Sequence, residues 1–284
     1  MQSIDNLMAV ADQCDAIVFD QWGVLHNGSQ PYPGAVEAIE ALAKAGKKLA
    51  VLSNSGKRSQ PNRQRIASMG LPADVFAHVM TSGEAFWQDC AKAHIPSESL
   101  LPITAKPSDA EIWGEGLPLT WASTVDEADA VLLMGLPEGG DGRQERDLLD
   151  EARSKRLPLY CTNPDRGSPR ADGVVQLSPG ALAHAYQDDG GDVVFYGKPH
   201  RPVFDALIEA LGTAPSSTLM VGDSLEHDIA GGANAGWKTA FVMGGLHAAA
   251  FYKDDPSSVT ARLAQDHASP LPDFLIGNFA GEKG

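Results

Sequence analysis

The sequence predicts an α/β protein with a largely parallel sheet, and three observations carry that expectation. Short apolar runs alternate with helical patterns along most of the chain. An apolar run, an amphipathic helix and a second apolar run follow one another near the amino terminus, which is a β-α-β unit with a right-handed crossover as its default. A similar alternation returns near the carboxyl terminus, so the two end segments read as halves of one sheet. With 284 residues, 30.0 kDa and 43% hydrophobic residues, the chain can bury one large core or two ordinary ones.

The first strand is "AIVFD" in "AIVFDQWGVLHNG" (Ala16–Gly28), an apolar run that breaks into polar and turn-forming residues at Asp20. Next, "PGAVEAIEALAKAGKK" places Ala35, Ile39 and Leu42 on one helical face, and Gly46 is the expected stop. The strand "KLAVLSN" (Lys48–Asn54) completes the unit. The basic segment "KRSQPNRQR" (Lys57–Arg65) then reads as a helix with a solvated face.

A second α/β stretch follows. "AVLLMGLP" and "PLYCTNPD" supply strands, and "QERDLLDEARSKR" a charged helix. The Gly-rich "PEGGDGRQ" (Pro137–Gln144) precedes no GK[ST] pattern and is a surface loop rather than a phosphate cradle. We therefore expect an inserted α/β domain over 83–187, with 1–82 and 188–284 forming the core. In the last part "DVVFYGKP", "STLMVGDS" and "KTAFVMGG" read as strands, and "RPVFDALIEALG" and "EHDIAGGANAG" as helices. Val203, Leu207 and Leu211 form the apolar stripe of the first of these helices, and Pro202 suits its first turn.

Bulk properties narrow the function. A formal charge of -15 repels polyphosphates and argues against nucleic acid as a partner. No apolar run reaches membrane-spanning length, and the amino terminus carries acids where a signal peptide carries a basic flank, so no membrane role and a cytoplasmic location are expected. The three cysteines show no CxxC pairing, the eight histidines no HxxxH or HExxH spacing, and no GxSxG elbow occurs. Disulfide, zinc-hydrolase and serine-esterase chemistry thereby lose support, and the sequence leaves a homo-oligomer open.

Ligands of open α/β sheets bind outside the carboxyl ends of the strands. There the strands deliver Asp20, then Ser53 and Asn54, then Lys198, then Asp223, with Asp228 one turn further on. Clustered acids repel one another unless a cation is present, and all-oxygen ligands favour Mg²⁺. A lysine and a hydroxyl beside them suit a phosphoryl group. A carboxylate nucleophile together with a metal and a lysine points to phosphomonoester hydrolysis through an aspartyl-phosphate. As a lone signal, Asp228 also reads as an acid placed at the favourable amino end of its own helix.

In this order the motifs "FDQWGVL", "VLSNSG", "YGKPH" and "VGDSLEHDIAGGANAG" resemble those of the haloacid-dehalogenase-like hydrolases. The place of the insert, between the second and third motifs, and "CTNPD" (Cys161–Asp165) are similar to the class IIA, NagD-type branch. The resemblance implies a Rossmann-like core with a C2-type cap, Asp20 as nucleophile and metal ligand, and Ser53 with the Asn54 backbone on the phosphoryl group. It further implies Lys198 as charge neutraliser, Asp223 and Asp228 as Mg²⁺ ligands, and Asn163 and Asp165 as substrate contacts from the cap, although as a lone signal Asn163 and Asp165 read equally as an Asx-type turn about Pro164.

The family's phosphatases carry an acid/base aspartate two residues after the nucleophile, whereas this chain carries Trp22. The resemblance assigns that position a metal contact through its backbone carbonyl, which Trp22 retains, and a proton transfer, which it cannot perform. Losing such a group costs about 10²–10⁴-fold in rate. The expected activity on a small phosphorylated metabolite is then slow or restricted to good leaving groups, with His26 the nearest titratable substitute. Two alternatives stay open: a non-catalytic protein that binds a phosphorylated metabolite, and a hydrolase of a non-phosphate bond such as carbon–halogen.

Overall fold

A computed structural model describes residues 1–169 and 175–279 of the chain. In chain order it runs β1 (Gln2–Ile4), β2 (Ala16–Phe19), α1 (Ala35–Lys44), β3 (Lys48–Ser53), α2 (Ser59–Ser68) and β4 (Phe76–Thr81). There follow α3 (Ser82–Ala91), β5 (Ser99–Ile103), α4 (Asp109–Trp113), β6 (Thr120–Trp121), β7 (Ala130–Leu133) and α5 (Arg143–Ser154). Next come β8 (Leu159–Cys161), β9 (Gly167–Pro169), β10 (Val175–Leu177), α6 (Pro179–Asp188), β11 (Val193–Phe195) and α7 (Arg201–Leu211). The last elements are β12 (Thr218–Gly222), α8 (Ala230–Asn234), β13 (Lys238–Val242), α9 (Pro256–Asp266) and β14 (Phe274–Ile276).

These elements form two compact units. The first comprises 1–53, 60–80 and 204–284, and the second 54–59 and 81–203. The first unit is organised on a sheet of order β1-β14-β13-β12-β2-β3-β4. β2 lies between β12 and β3 and is parallel to both, with Phe19 opposite Val221 on one side and Val51 on the other. From β2 the chain proceeds outward to β3 and β4, and later returns to the opposite side through β12, β13 and β14. The β2/β12 boundary is therefore the switch point at which ligands of such sheets bind.

The sequence shows why these two strands are central. All four residues of β2 and all five of β12 are buried, the uniform pattern of a strand covered on both faces. α1 packs through Ala35, Ile39 and Leu42, the stripe read from the sequence, and Gly46 closes it at φ 77°.

The second unit has its own parallel sheet of order β11-β8-β7-β5-β6 and a two-stranded antiparallel β9–β10 pair. Its core joins Val131 and Leu133 of β7, Leu149 and Ala152 of α5, Leu159 and Cys161 of β8, and Leu182 and Ala183 of α6. Here the bounds differ from the expected insert of 83–187. The sequence places the "VVF" run as a strand of the core sheet, but β11 pairs with β8 through Val193–Leu159 and Phe195–Cys161. Residues 188–203 fall in the second unit, as do 54–59 and 81–82. A three-residue apolar run fits the buried edge of either sheet, and only its pairing decides. The expected single helix over "EHDIAGGANAG" is also divided, into a π-helical turn at Leu225–Ile229 and α8.

Candidate active site

The first unit brings three of the expected acids together. Asp20, Asp223 and Asp228 each place a carboxylate oxygen within 4.8 Å of the others. Strand ends account for two of them. Asp20 follows β2 directly and donates its N–H to the Val221 carbonyl at 2.9 Å, while Asp223 follows β12. Asp228 comes from the π-helical turn, where the N–H groups of Asp228 and Ile229 both bond to the Ser224 carbonyl at 3.0 and 3.1 Å. Such turns are uncommon and recur at functional sites. This one folds Asp228 back so that its Oδ2 accepts the Ser224 N–H at 3.1 Å.

Fixed backbone donors orient the buried acids. Asp223 Oδ2 accepts the Leu246 N–H at 2.7 Å, and Asp223 and Asp228 are 3% and 0% exposed. Gly23 packs against the same carboxylate at φ +82°, and a Cβ there would overlap Asp223 Oδ2. The donor set fits a hard divalent cation, since it offers carboxylate oxygens alone and their close approach is costly without a positive charge between them.

The loop after Asp20 is tightly wound. The Gln21 carbonyl accepts the N–H groups of Leu25 and His26 at 2.8 and 3.1 Å, and Trp22 and His26 form an isolated bridge. Trp22 itself is 40% exposed. His26, the candidate substitute acid, is instead buried, and burial, followed by the charge of Arg65, lowers its pKa to about 4. Its Nδ1 accepts the Gly28 N–H at 3.0 Å, so the neutral ring carries its proton on Nε2. His26 is therefore no imidazolium proton source at neutral pH. Ser53 is half-buried at the end of β3.

The second unit brings together Asn54, Asp165 and Lys198. Asn54 Nδ2 donates to Asp165 Oδ1 at 2.7 Å and to the Lys198 carbonyl at 3.2 Å, and Asn54 Oδ1 accepts the Lys198 N–H at 2.7 Å. Asn163 Oδ1 accepts the Asp165 N–H at 3.2 Å, an Asx turn around Pro164. The Asx turn is the one the sequence offers beside substrate contact for Asn163 and Asp165, whereas the link from Asp165 through Asn54 to Lys198 is not legible there. Its signal would have been the pairing of an amide and a carboxylate far apart in the chain, which no local pattern reveals.

Comparison with known proteins agrees with this architecture. A model of haloacid dehalogenase-like hydrolases matches residues 17–117, and a second, HAD-hydrolase-like, matches 195–266. Mouse (Mus musculus) chronophin is 29% identical over 246 residues, covering 84% of each chain. Human (Homo sapiens) glycerol-3-phosphate phosphatase is 27% identical over 304 residues, covering 98% of this chain and 92% of its own. A crystal structure of a haloacid dehalogenase-like family hydrolase from Brucella suis 1330 superposes with a TM-score of 0.79 at 27% identity, over 96% of this chain and 98% of that one. The two family matches cover the segments that supply the three acids and Lys198, and the relatives align across nearly the whole length; the chain belongs to the haloacid-dehalogenase-like hydrolases.

Proposed function

We propose that this hydrolase is a Mg²⁺-dependent phosphatase of a small phosphorylated metabolite, of the NagD-type class IIA branch, with Asp20 as nucleophile. The observation that carries the reading is the carboxylate cluster of Asp20, Asp223 and Asp228 at the switch point of the sheet. Asp223, Asp228, Asp20 and the Trp22 carbonyl would hold the cation. When bound, it offsets negative charge on the cluster and on the phosphoryl oxygens.

In the first step an Asp20 carboxylate oxygen forms a bond to phosphorus while the bond to the leaving oxygen breaks, and that oxygen takes the electron pair. Ser53, the Asn54 backbone and Lys198 bind and neutralise the transferring group. Water then attacks phosphorus, the bond to Asp20 breaks, and inorganic phosphate and free Asp20 are released. Trp22 supplies no proton to the leaving oxygen, so the first step favours leaving groups that depart as stable anions, such as aryl oxides or the carboxylate of an acyl phosphate. The test is a panel of phosphomonoesters and acyl phosphates with Mg²⁺, comparing wild type with Asp20→Asn. Turnover lost in the variant supports the reading. Metal-dependent binding without turnover would favour the phosphometabolite-binding alternative, and halide release unaffected by chelator the carbon–halogen one.

A further inference from the structure

We propose that Asn54 is a positioning residue for Lys198, held in its working orientation by Asp165, and that the Asn163–Pro164–Asp165 turn supports the lysine rather than reading the substrate. The role of Lys198 itself rests on the phosphatase reading above.

A carboxamide has two N–H donors and one oxygen, and Asn54 commits all three. Its oxygen takes the Lys198 N–H at 2.7 Å, one N–H goes to the Lys198 carbonyl at 3.2 Å, and the other to Asp165 Oδ1 at 2.7 Å. The orientation of the amide is fixed twice over. A backbone N–H requires the oxygen on one side, and a carboxylate requires the nitrogen on the other. Because the two Lys198 contacts reach the N–H and C=O of the same residue, they pin the backbone on both sides of its Cα. The direction in which the lysine side chain leaves the chain is pinned with it.

The clamp is buried, with Asn54 at 8% and Lys198 at 3% exposure, where hydrogen bonds are stronger and unpaired groups costlier than in water. Asp165 adds a charge-assisted bond, and its own position is set by the N–H bond to Asn163 Oδ1. Gly197 lets these parts close up, since a Cβ there would lie 2.7 Å from Asn54 Oδ1 and overlap Pro164. The residues read from the sequence as cap contacts thus act through Lys198.

The test combines amide hydrogen exchange with a double-mutant cycle on the full chain, using 4-nitrophenyl phosphate and Mg²⁺. Asn54→Ala should raise exchange at the Lys198 amide by about tenfold or more, the loss of one buried hydrogen bond, while the Val131 and Leu133 amides of β7 stay protected. Its kcat should fall by about tenfold or more, and Asn54→Ala/Lys198→Ala should be no slower than Lys198→Ala alone. Asp165→Asn keeps an acceptor oxygen and should recover most of the rate lost in Asp165→Ala. Should Asn54→Ala fail to fold, Asn54→Asp keeps the oxygen for Lys198 but sets a second carboxylate against Asp165, and should show the same non-additivity. Unchanged exchange at Lys198 overturns the clamp. Multiplying losses in the cycle, or Asp165 effects confined to KM and dependent on the substrate, overturn the positioning role. A wild type that turns over no phosphate ester defeats the phosphatase reading, and the exchange arm still decides the clamp.

Discussion

Trp22, two residues beyond Asp20, carries an indole in place of a group able to protonate a leaving oxygen. Burial removes the nearest substitute, His26, by holding it neutral, with its pKa near 4. The rate should then depend steeply on the leaving group. Across a series of aryl phosphates, log kcat/KM should fall as the phenol pKa rises, and alkyl phosphates should be turned over least. Trp22→Asp should flatten that slope and raise alkyl phosphate turnover by up to about 10²–10⁴-fold, the usual contribution of a positioned acid. A slope unchanged in a folded variant would show that protonation does not limit the reaction. The strand-end acids were legible in the sequence because a lone carboxylate after an apolar run is conspicuous. The partners of Asn54 were not, because they lie 111 and 144 positions away and depend on tertiary folding.

Helices and strands were legible where their own residues set a period, and misread where only pairing does. α1 and α7 were expected from their stripes, and Ile39, Leu42, Val203 and Leu207 are fully buried. β11 carries too short a run to announce which sheet it joins, so its placement in the core failed. The start of α3 was missed although Thr81 to Glu84 has the spacing of a capping box: Thr81 Oγ1 accepts the Glu84 N–H at 2.9 Å. The Glu84 carboxylate turns elsewhere, to Arg58 Nε at 2.8 Å and the Ser59 N–H at 2.9 Å, tying α3 to the 54–59 segment of its own unit. Burial alone would raise its pKa, but the bonds from Arg58 and Ser59 outweigh burial and lower it. A depressed carboxyl pKa contributes stability above the unfolded value, about 4.3, and loses it as pH falls through the folded one. Glu84→Gln should therefore cost about 2 kcal/mol at pH 7, the range for hydrogen bonds to a charged group, and progressively less toward pH 3. Urea melts of both proteins across that range would check it, and a pH-independent difference would contradict it.

For the molecule as a whole, the alternation of apolar and helical segments specified a parallel α/β core because buried parallel strands are near-continuously apolar, as β2 and Leu219–Val221 of β12 are. Where the chain divides into units was less legible, since 54–59 and 188–203 join the second unit through tertiary contacts rather than through any change in composition. The first unit also places three acids around one point, an arrangement that disfavours the folded state without a cation and favours it with one. Stability should therefore be linked to Mg²⁺ by mass action, with a gain of about 2.7 kcal/mol at a free concentration of 100 Kd. Thermal melts in MgCl₂, with KCl added to hold ionic strength constant, should show a Tm rising with the logarithm of metal concentration. Asp228→Asn keeps an oxygen for the Ser224 N–H and removes one charge from the cluster. It should melt at or above the wild-type temperature in chelator and lose most of the Mg²⁺ response. Equal responses in the two proteins would place the stabilising cation elsewhere, and a flat wild-type response would mean that the three carboxylates hold no metal at these concentrations.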